Sequence, residues 1–137
     1  MTPDALAALH ARCFVTPRPW SADEFASMLT SNGVFLRSSD AGFALGREIA
    51  GEVELLTLAV DPDHQRQGNG RALLTAFEAE ATKRGATEAF LEVASNNTAA
   101  YVLYRAAGYT ESGHRPAYYR PPTGPRIAAI IMRKPLI

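Results

Sequence analysis

The chain has a single cysteine, Cys13, so no internal disulfide can brace it. It has no surplus of either charge. Its 14 Lys and Arg are matched by 14 Asp and Glu, which removes the basic excess expected of a protein that grips nucleic acid non-specifically. Long apolar runs are missing as well: the longest, such as residues 127–132, fall far short of the roughly 18 to 20 residues that cross a bilayer, so no membrane span is expected. No basic start followed by a long apolar stretch opens the chain, and a cytoplasmic setting is the expectation. The three histidines, His10, His64 and His114, are scattered without ligand spacing, which predicts no metal site.

What remains is the composition of an ordinary core-forming domain. Hydrophobic residues make up 47% of the 137 and charged residues 20%, which suits one domain over residues 1–137 and excludes a disordered chain. The charge is unevenly spread. From Arg105 onward six basic residues face only Glu111, while the first 104 residues hold eight basic against thirteen acidic, so the two ends of the molecule are expected to attract ions of opposite sign.

Local signals divide the chain into elements. Thr2 and Pro3 open a helix that ends near Phe14, with Leu6, Leu9, His10 and Cys13 on one face. Ser21 and Glu24 have capping-box spacing, and Trp20 and Phe25 that of a hydrophobic staple, so a second helix runs to about Ser31. Residues 34–37 and 43–49 read as a hairpin around Ser39-Asp40-Ala41-Gly42. Residues 52–60 alternate and then turn almost wholly apolar, which predicts a strand buried on both faces at its far end. A helix over 71–84 closed by Gly85, a strand over 89–94, and a helix capped by Asn96 or Asn97 and closed by Gly108 follow. Two final strands, 109–115 and 127–133, flank a loop at 116–126. The order strand, glycine-rich loop, helix, strand places a parallel pair in the middle of the sheet.

The loop Gln65-Arg66-Gln67-Gly68-Asn69-Gly70 stands between a buried strand and the N-terminus of a helix. Glycines allow close approach to the main chain, the helix end is partly positive, and Arg66 and Arg71 add full charges, a combination suited to a pyrophosphate. Two familiar phosphate loops are excluded. A dinucleotide fingerprint needs a third glycine where Leu73 stands, and the Gly-Lys-Ser/Thr of a nucleotide triphosphate loop is absent.

Leu58-Ala59-Val60-Asp61-Pro62 followed by Gln65-x-x-Gly68-x-Gly70 resembles the acetyl-coenzyme A site of the GNAT family of N-acetyltransferases. Leu91-Glu92-Val93, Asn96-Asn97, the run from Ala100 to Arg105, and Gly108-Tyr109 match the second half of that pattern in order and spacing. With Tyr118-Tyr119 and Ile130-Ile131-Met132, the chain is similar to the branch that acetylates the N-terminal alanine of a ribosomal protein. The resemblance covers about residues 50–135.

It implies a twisted mixed α/β sheet of about six strands with about four helices, split by a V-shaped gap between the strands ending near Val60 and Ala94. The family usually begins with a strand and this chain begins at a helix, so that edge strand is expected to be missing or replaced. Acetyl-coenzyme A is the implied co-substrate. Its pantetheine arm would lie along Leu58, Ala59 and Val60, its pyrophosphate on Gln65, Arg66, Gln67, Gly68, Asn69, Gly70 and Arg71, and Asn97 would also touch it. Glu92 takes the role of base and Tyr104 that of acid, with Glu54 as the competing base. Trp20, Glu54, Tyr118 and Tyr119 would line the acceptor groove, and Asp23, Glu24, Glu52 and Glu54 would favour a basic peptide if they share a face. The expected acceptor is the α-amine of a ribosomal protein and the expected state a monomer or weak dimer. A small-molecule amine acetyltransferase and a non-catalytic acyl-coenzyme A sensor remain the alternatives. Ala94 stands where the nearest branch has arginine, and 114–119 departs from its usual loop.

Overall fold

In the computed structural model, which describes residues 1–137, the side chain of Thr2 accepts the Ala5 N–H and Pro3 opens α1 (Pro3–Cys13). Ser21 and Glu24 exchange both bonds of a capping box at the head of α2 (Ala22–Leu29), and Trp20 lies on Phe25 with ring centroids 5.1 Å apart. The helix stops short of the expected Ser31. There the Thr30 and Ser31 hydroxyls both donate to the Ser27 carbonyl, and the chain turns at Gly33 in the left-handed region, φ +79°.

The hairpin pairs β1 (Val34–Ser39) with β2 (Gly42–Ile49), and β3 (Glu52–Val60) continues the meander. A short 3-10 turn (Pro62–His64) leads to α3 (Asn69–Lys83), followed by β4 (Glu88–Ala94), α4 (Thr98–Ala106), β5 (Thr110–Tyr119) and β6 (Ile127–Pro135). The six strands form one sheet in the order β1-β2-β3-β4-β6-β5, in which only β3 and β4 run parallel. This is the expected mixed sheet with four helices. α3 begins at Asn69 rather than Arg71, because Gly68, at φ +79°, already supplies the turn into it.

The two faces of the sheet carry separate cores. Leu73, Leu74, Phe77 and Ala81 of α3, with Tyr104 of α4, pack on Ala44, Val53, Leu55, Leu91 and Met132. Leu6 and Leu9 of α1 and Phe25 of α2 pack on Phe43, Leu45 and Ala59 on the opposite face. Phe77 is wholly buried and its ring stacks on Phe35 at 5.8 Å. Truncating it to alanine is the kind of change that costs about 3–5 kcal/mol.

Beneath that aromatic pair the regular ladder breaks. Leu45 and Gly46 of β2 oppose Thr57 and Leu55 of β3, leaving Leu56 as an extra residue. A Cβ on Gly46 would lie 2.5 Å from the Phe77 ring and 2.8 Å from that of Phe35, so the glycine is what lets the rings descend onto the sheet. The bulge reverses the alternation of β3. Val53 and Leu55 face α3, but beyond Leu56 it is Thr57 and Ala59 that face α1 and α2, opposite Leu45 and Phe43, while Leu58 and Val60 take over the α3 side.

Two expectations change here. The far end of β3 is not buried on both faces: Leu56, Leu58 and Val60 are half-exposed, because pairing with β4 ends at Leu55 and Leu91 and the strands then part. β5 runs on to Tyr119 rather than ending near Arg115. It is an edge strand, so Pro116 removes no ladder bond that the sheet needs, and residues 116–118 bulge out between the Arg115–Ala129 and Tyr119–Ile127 pairs, with Ala117 at φ +52°.

His10, 1% exposed, ties α1 to β3 and to the entry of α2. Burial holds its pKa down to about 4, with the Glu24 carboxylate opposing, from an ordinary 6.5. Between these values only the unfolded chain takes up the proton, so stability is intact above about pH 6.5 and falls by roughly 3 kcal/mol as the pH drops to about 4. Urea unfolding across this range should show that decline. Glu24, whose carboxyl is held down to about 2 chiefly by its hydrogen bond from Arg18, adds stability that is complete above its ordinary 4.5 and is lost only below it, so a protein equally stable at about pH 6.5 and pH 4.5 would contradict the assignment to His10.

Candidate active site

Where β3 and β4 part, a cleft of about 160 Å³ passes between them, and Glu54, Glu92, Tyr119, Trp20, Asn97 and Tyr104 are among its walls. Register decides which side each residue enters from. Glu54 is cross-paired with Arg47 and level with Phe90, so Glu92, two residues on, shares its face, the one covered by α1 and α2. Tyr119, level with Ile127 on β6, falls on that face too. Tyr104 comes from α4 on the other side. The carboxylates and the phenol therefore approach the gap from opposite faces of the sheet.

Each carboxylate has a cationic neighbour. Arg115 Nε lies 3.1 Å from Glu92 Oε1, and Arg47 Nη2 lies 3.7 Å from Glu54 Oε1. Burial pushes the Glu54 carboxyl up; Arg47 draws it down, and the negative charge of Glu92 adds to the rise. The Tyr119 phenol is pushed up to about 12 by burial and by the same Glu92 charge. Burial alone raises Tyr104, which keeps it protonated. Its ring packs edge-on against Tyr109 at 6.0 Å, and its hydroxyl makes no hydrogen bond within the protein. A buried phenol without a partner, set in the wall of a cleft, is a donor free for a ligand.

The glycine-rich loop forms the lip of α3. Gly68 caps the helix with no side chain serving the first N–H groups, and a Cβ there would meet nothing within 4 Å. Gln65 Nε2 donates to the Val60 carbonyl and Asn69 Nδ2 to the His64 carbonyl, so these two side chains fasten the loop itself and leave the first main-chain amides of α3 without a side-chain cap. From Leu56 onward the edge of β3 that faces β4 has no strand partner. A partly positive helix end, open backbone along the gap and an unpartnered phenol at its base suit in turn a pyrophosphate, a pantetheine chain and a thioester.

Several sequence expectations resolve differently. Ala59 faces the α1–α2 core, 1% exposed, and the Val60 carbonyl is already taken by Gln65 and by the Cys13 thiol, so of this run only Leu58 lines the cleft. Arg71 Nη1 donates to the Ala106 carbonyl at the end of α4, while Arg66 and Gln67 stand exposed on the loop without such a partner. Asn97 lines the cleft but its Oδ1 is occupied in capping α4 through the Ala100 N–H. Tyr118, next to Tyr119 on the strand, points out, 48% exposed, beneath the Arg115 guanidinium at 5.2 Å. Of the four acidic residues Glu54 alone reaches the cleft: Glu24 pairs with Arg18, Glu52, on the same face of β3 as Glu54, pairs with Arg133, and Asp23 is exposed on α2.

Three residues of the site were not singled out from the sequence. Arg115 was one of six basic residues near the C-terminus. In the sequence His10 is one of four residues on one face of the first helix, and Thr57 is part of a nearly all-apolar strand. A lone hydroxyl in the run Leu55-Leu56-Thr57-Leu58 was the one available signal.

Parallel strands that part over an open, glycine-capped helix end, with carboxylates and a phenol converging from opposite faces, suit an acyl-transfer enzyme. The chain belongs to the acetyltransferase (GNAT) family, whose model matches residues 4–109, and is an N-acetyltransferase that uses acetyl-coenzyme A. It is 41% identical to the ribosomal protein bS18-alanine N-acetyltransferase of Escherichia coli over 98% of this chain and 93% of that protein. It is 39% identical to the N-alpha-acetyltransferase RimI of Mycobacterium tuberculosis over 83% of this chain and 76% of that one. The crystal structure of the ribosomal-protein-S18-alanine N-acetyltransferase from Escherichia coli superposes with a TM-score of 0.86 at 37% identity, covering 98% of this chain and 87% of that chain.

The coupling of the two carboxylates can be read by titration. In Glu92→Gln the negative neighbour is gone and Arg115 is released toward Glu54, so the Glu54 pKa should fall toward its ordinary value. Side-chain carboxyl carbon shifts followed from neutral to acid pH check this. A Glu54 titration identical in the two proteins would show that burial alone sets it.

Proposed function

We propose that this protein acetylates the N-terminal α-amine of a ribosomal protein that begins with alanine, by direct transfer from acetyl-coenzyme A, with Glu92 as the proton acceptor and Tyr104 as the donor to sulfur. The observation that carries the reading is the convergence of these two side chains on one cleft from opposite faces of the sheet. Likeness to enzymes that act on ribosomal protein bS18 supports the choice of acceptor. Such an acceptor would place the work in the cytoplasm, and the whole chain acts as one catalytic domain.

The acceptor enters from the α1–α2 side, past Trp20 and Tyr119, and meets Glu92. The carboxylate orients the amine and takes up, directly or through water, the proton lost as nitrogen attacks the acetyl carbon. An α-amine suits this base. With a reference pKa near 8, about a tenth of α-amines are neutral at pH 7, against well under a thousandth of lysine side chains. Bound acetyl-coenzyme A supplies the activated acetyl group and a thiolate leaving group. Tyr104, held protonated by burial, donates a hydrogen bond to the sulfur as negative charge collects there. The uncapped amides at Gly68 to Gly70, with Arg66 nearby, hold the pyrophosphate.

Incubation with acetyl-coenzyme A and a library of peptides and amines, read by mass spectrometry, tests the acceptor. Acetyl groups should appear on alanine N-termini; acetylation confined to lysines or to small amines would refute the reading. Tyr104→Phe should lower kcat by roughly 10- to 1000-fold with coenzyme affinity within about twofold. Gly68→Ala, forced to keep a left-handed φ, should weaken coenzyme A binding by about 5- to 30-fold in calorimetry, the equivalent of roughly 1–2 kcal/mol.

A further inference from the structure

His10 has no task in the chemistry above, yet it lines the cleft as one of its few buried polar groups. Its hydrogen bonds leave one arrangement of protons. The main-chain N–H of Trp20 donates to Nδ1 at 3.0 Å, and a ring nitrogen that accepts carries no proton, so the proton of the neutral imidazole sits on Nε2. Nε2 lies 2.9 Å from Thr57 Oγ1 and therefore donates to it. The Thr57 oxygen thus has a lone pair engaged by His10, and its own proton must point elsewhere.

No carbonyl or carboxylate of the protein receives that proton; the contact with His10 is the only hydrogen bond of the Thr57 side chain. Thr57 is 9% exposed, and its surroundings open into the cleft. A hydroxyl buried to this degree with an unused donor is costly unless a ligand takes it. The bulge at Leu56 decides which ligand. Without the extra residue Thr57 would face α3; with it, the side chain lies on the α1–α2 face, beside His10 and on the same side as Glu54 and Glu92. That is the side from which the acceptor enters, while Tyr104 stands on the other. β-branching limits the rotamers of Thr57 and keeps the hydroxyl in place.

We infer that Thr57 is a recognition residue for the acceptor: its hydroxyl, fixed as a donor by His10, gives a hydrogen bond to the carbonyl oxygen of the acceptor's first peptide group while Glu92 holds the amine. The inference rests on the reading of the acceptor as a protein N-terminus. It explains how the site separates a peptide N-terminus from a simple amine. A site built around a buried donor disfavours an analogue that leaves the donor unpaired.

Steady-state kinetics with an alanine-starting peptide test it. Thr57→Val is nearly the same shape and lacks the hydroxyl; it should raise the peptide KM by about 5- to 30-fold, with kcat and the KM for acetyl-coenzyme A within about twofold. Thr57→Ser restores the hydroxyl and should return the peptide KM to near the wild-type value. An unchanged KM in Thr57→Val overturns the inference, as does a failure of serine to rescue, which marks a packing role. A loss confined to kcat or to the KM for acetyl-coenzyme A overturns it too, since the hydroxyl then serves the thioester. If the wild-type protein acetylates the peptide and the valine variant is unaffected, this inference alone fails; if the wild type acetylates no peptide N-terminus, the acceptor reading fails and the inference with it.

Discussion

One extra residue in β3, Leu56, governs the rest of the structure. A parallel pair holds two strands together only while their ladder is in register, and the bulge turns β3 away from β4 after Leu55 and Leu91. Three consequences follow from the same displacement. The backbone edge of β3 becomes available to a ligand, a gap opens through the sheet, and the side-chain alternation inverts so that Ala59 joins the α1–α2 core and Thr57 faces His10 of α1. Gly46 stands at the same register shift, and the Phe35 and Phe77 rings fill the volume that any side chain there would need. The packing of the larger core and the opening of the site are therefore set at one place.

The charges around the gap follow from this geometry. Glu54 and Glu92 are two like charges on neighbouring strands, partly withdrawn from water, and such a pair is stable only with cations beside it. Arg47 and Arg115 occupy that position in the free protein. Arg115 reaches Glu92 from the irregular edge strand β5, half-exposed and resting on Tyr118, so its hold is that of a surface ion pair. Across the sheet, Tyr104 is kept neutral by burial. The two faces of the cleft thus differ in kind: one balances charge, the other supplies a neutral donor.

Much of the fold was legible in the order of residues. The capping box at Ser21 and Glu24, the staple of Trp20 on Phe25, the hairpin at Asp40-Ala41 and the glycine-closed helices are decided within a few residues, by hydrogen bonds and left-handed turns that neighbours alone supply. Candidate site residues on regular elements were legible as well: Glu92 and Tyr104 lie where their spacing put them. Errors gathered wherever a strand departs from its period. The far end of β3 looked doubly buried because apolarity alone does not reveal a missing neighbour, and Tyr118 and Tyr119 looked equivalent although adjacent strand residues point to opposite faces.

By itself, the sequence determined the elements, their order, the glycine-capped helix end and the candidate carboxylates and phenol of the cleft, since each of these depends on short-range chemistry. Only the tertiary structure decided that Leu56 is the residue without a partner, that Arg115 answers Glu92, and that a histidine ten residues into the chain orients the hydroxyl of Thr57. These are pairings between segments far apart in the chain. Their register is fixed by how rings and aliphatic side chains fill a shared volume, and no stretch of sequence carries that information alone.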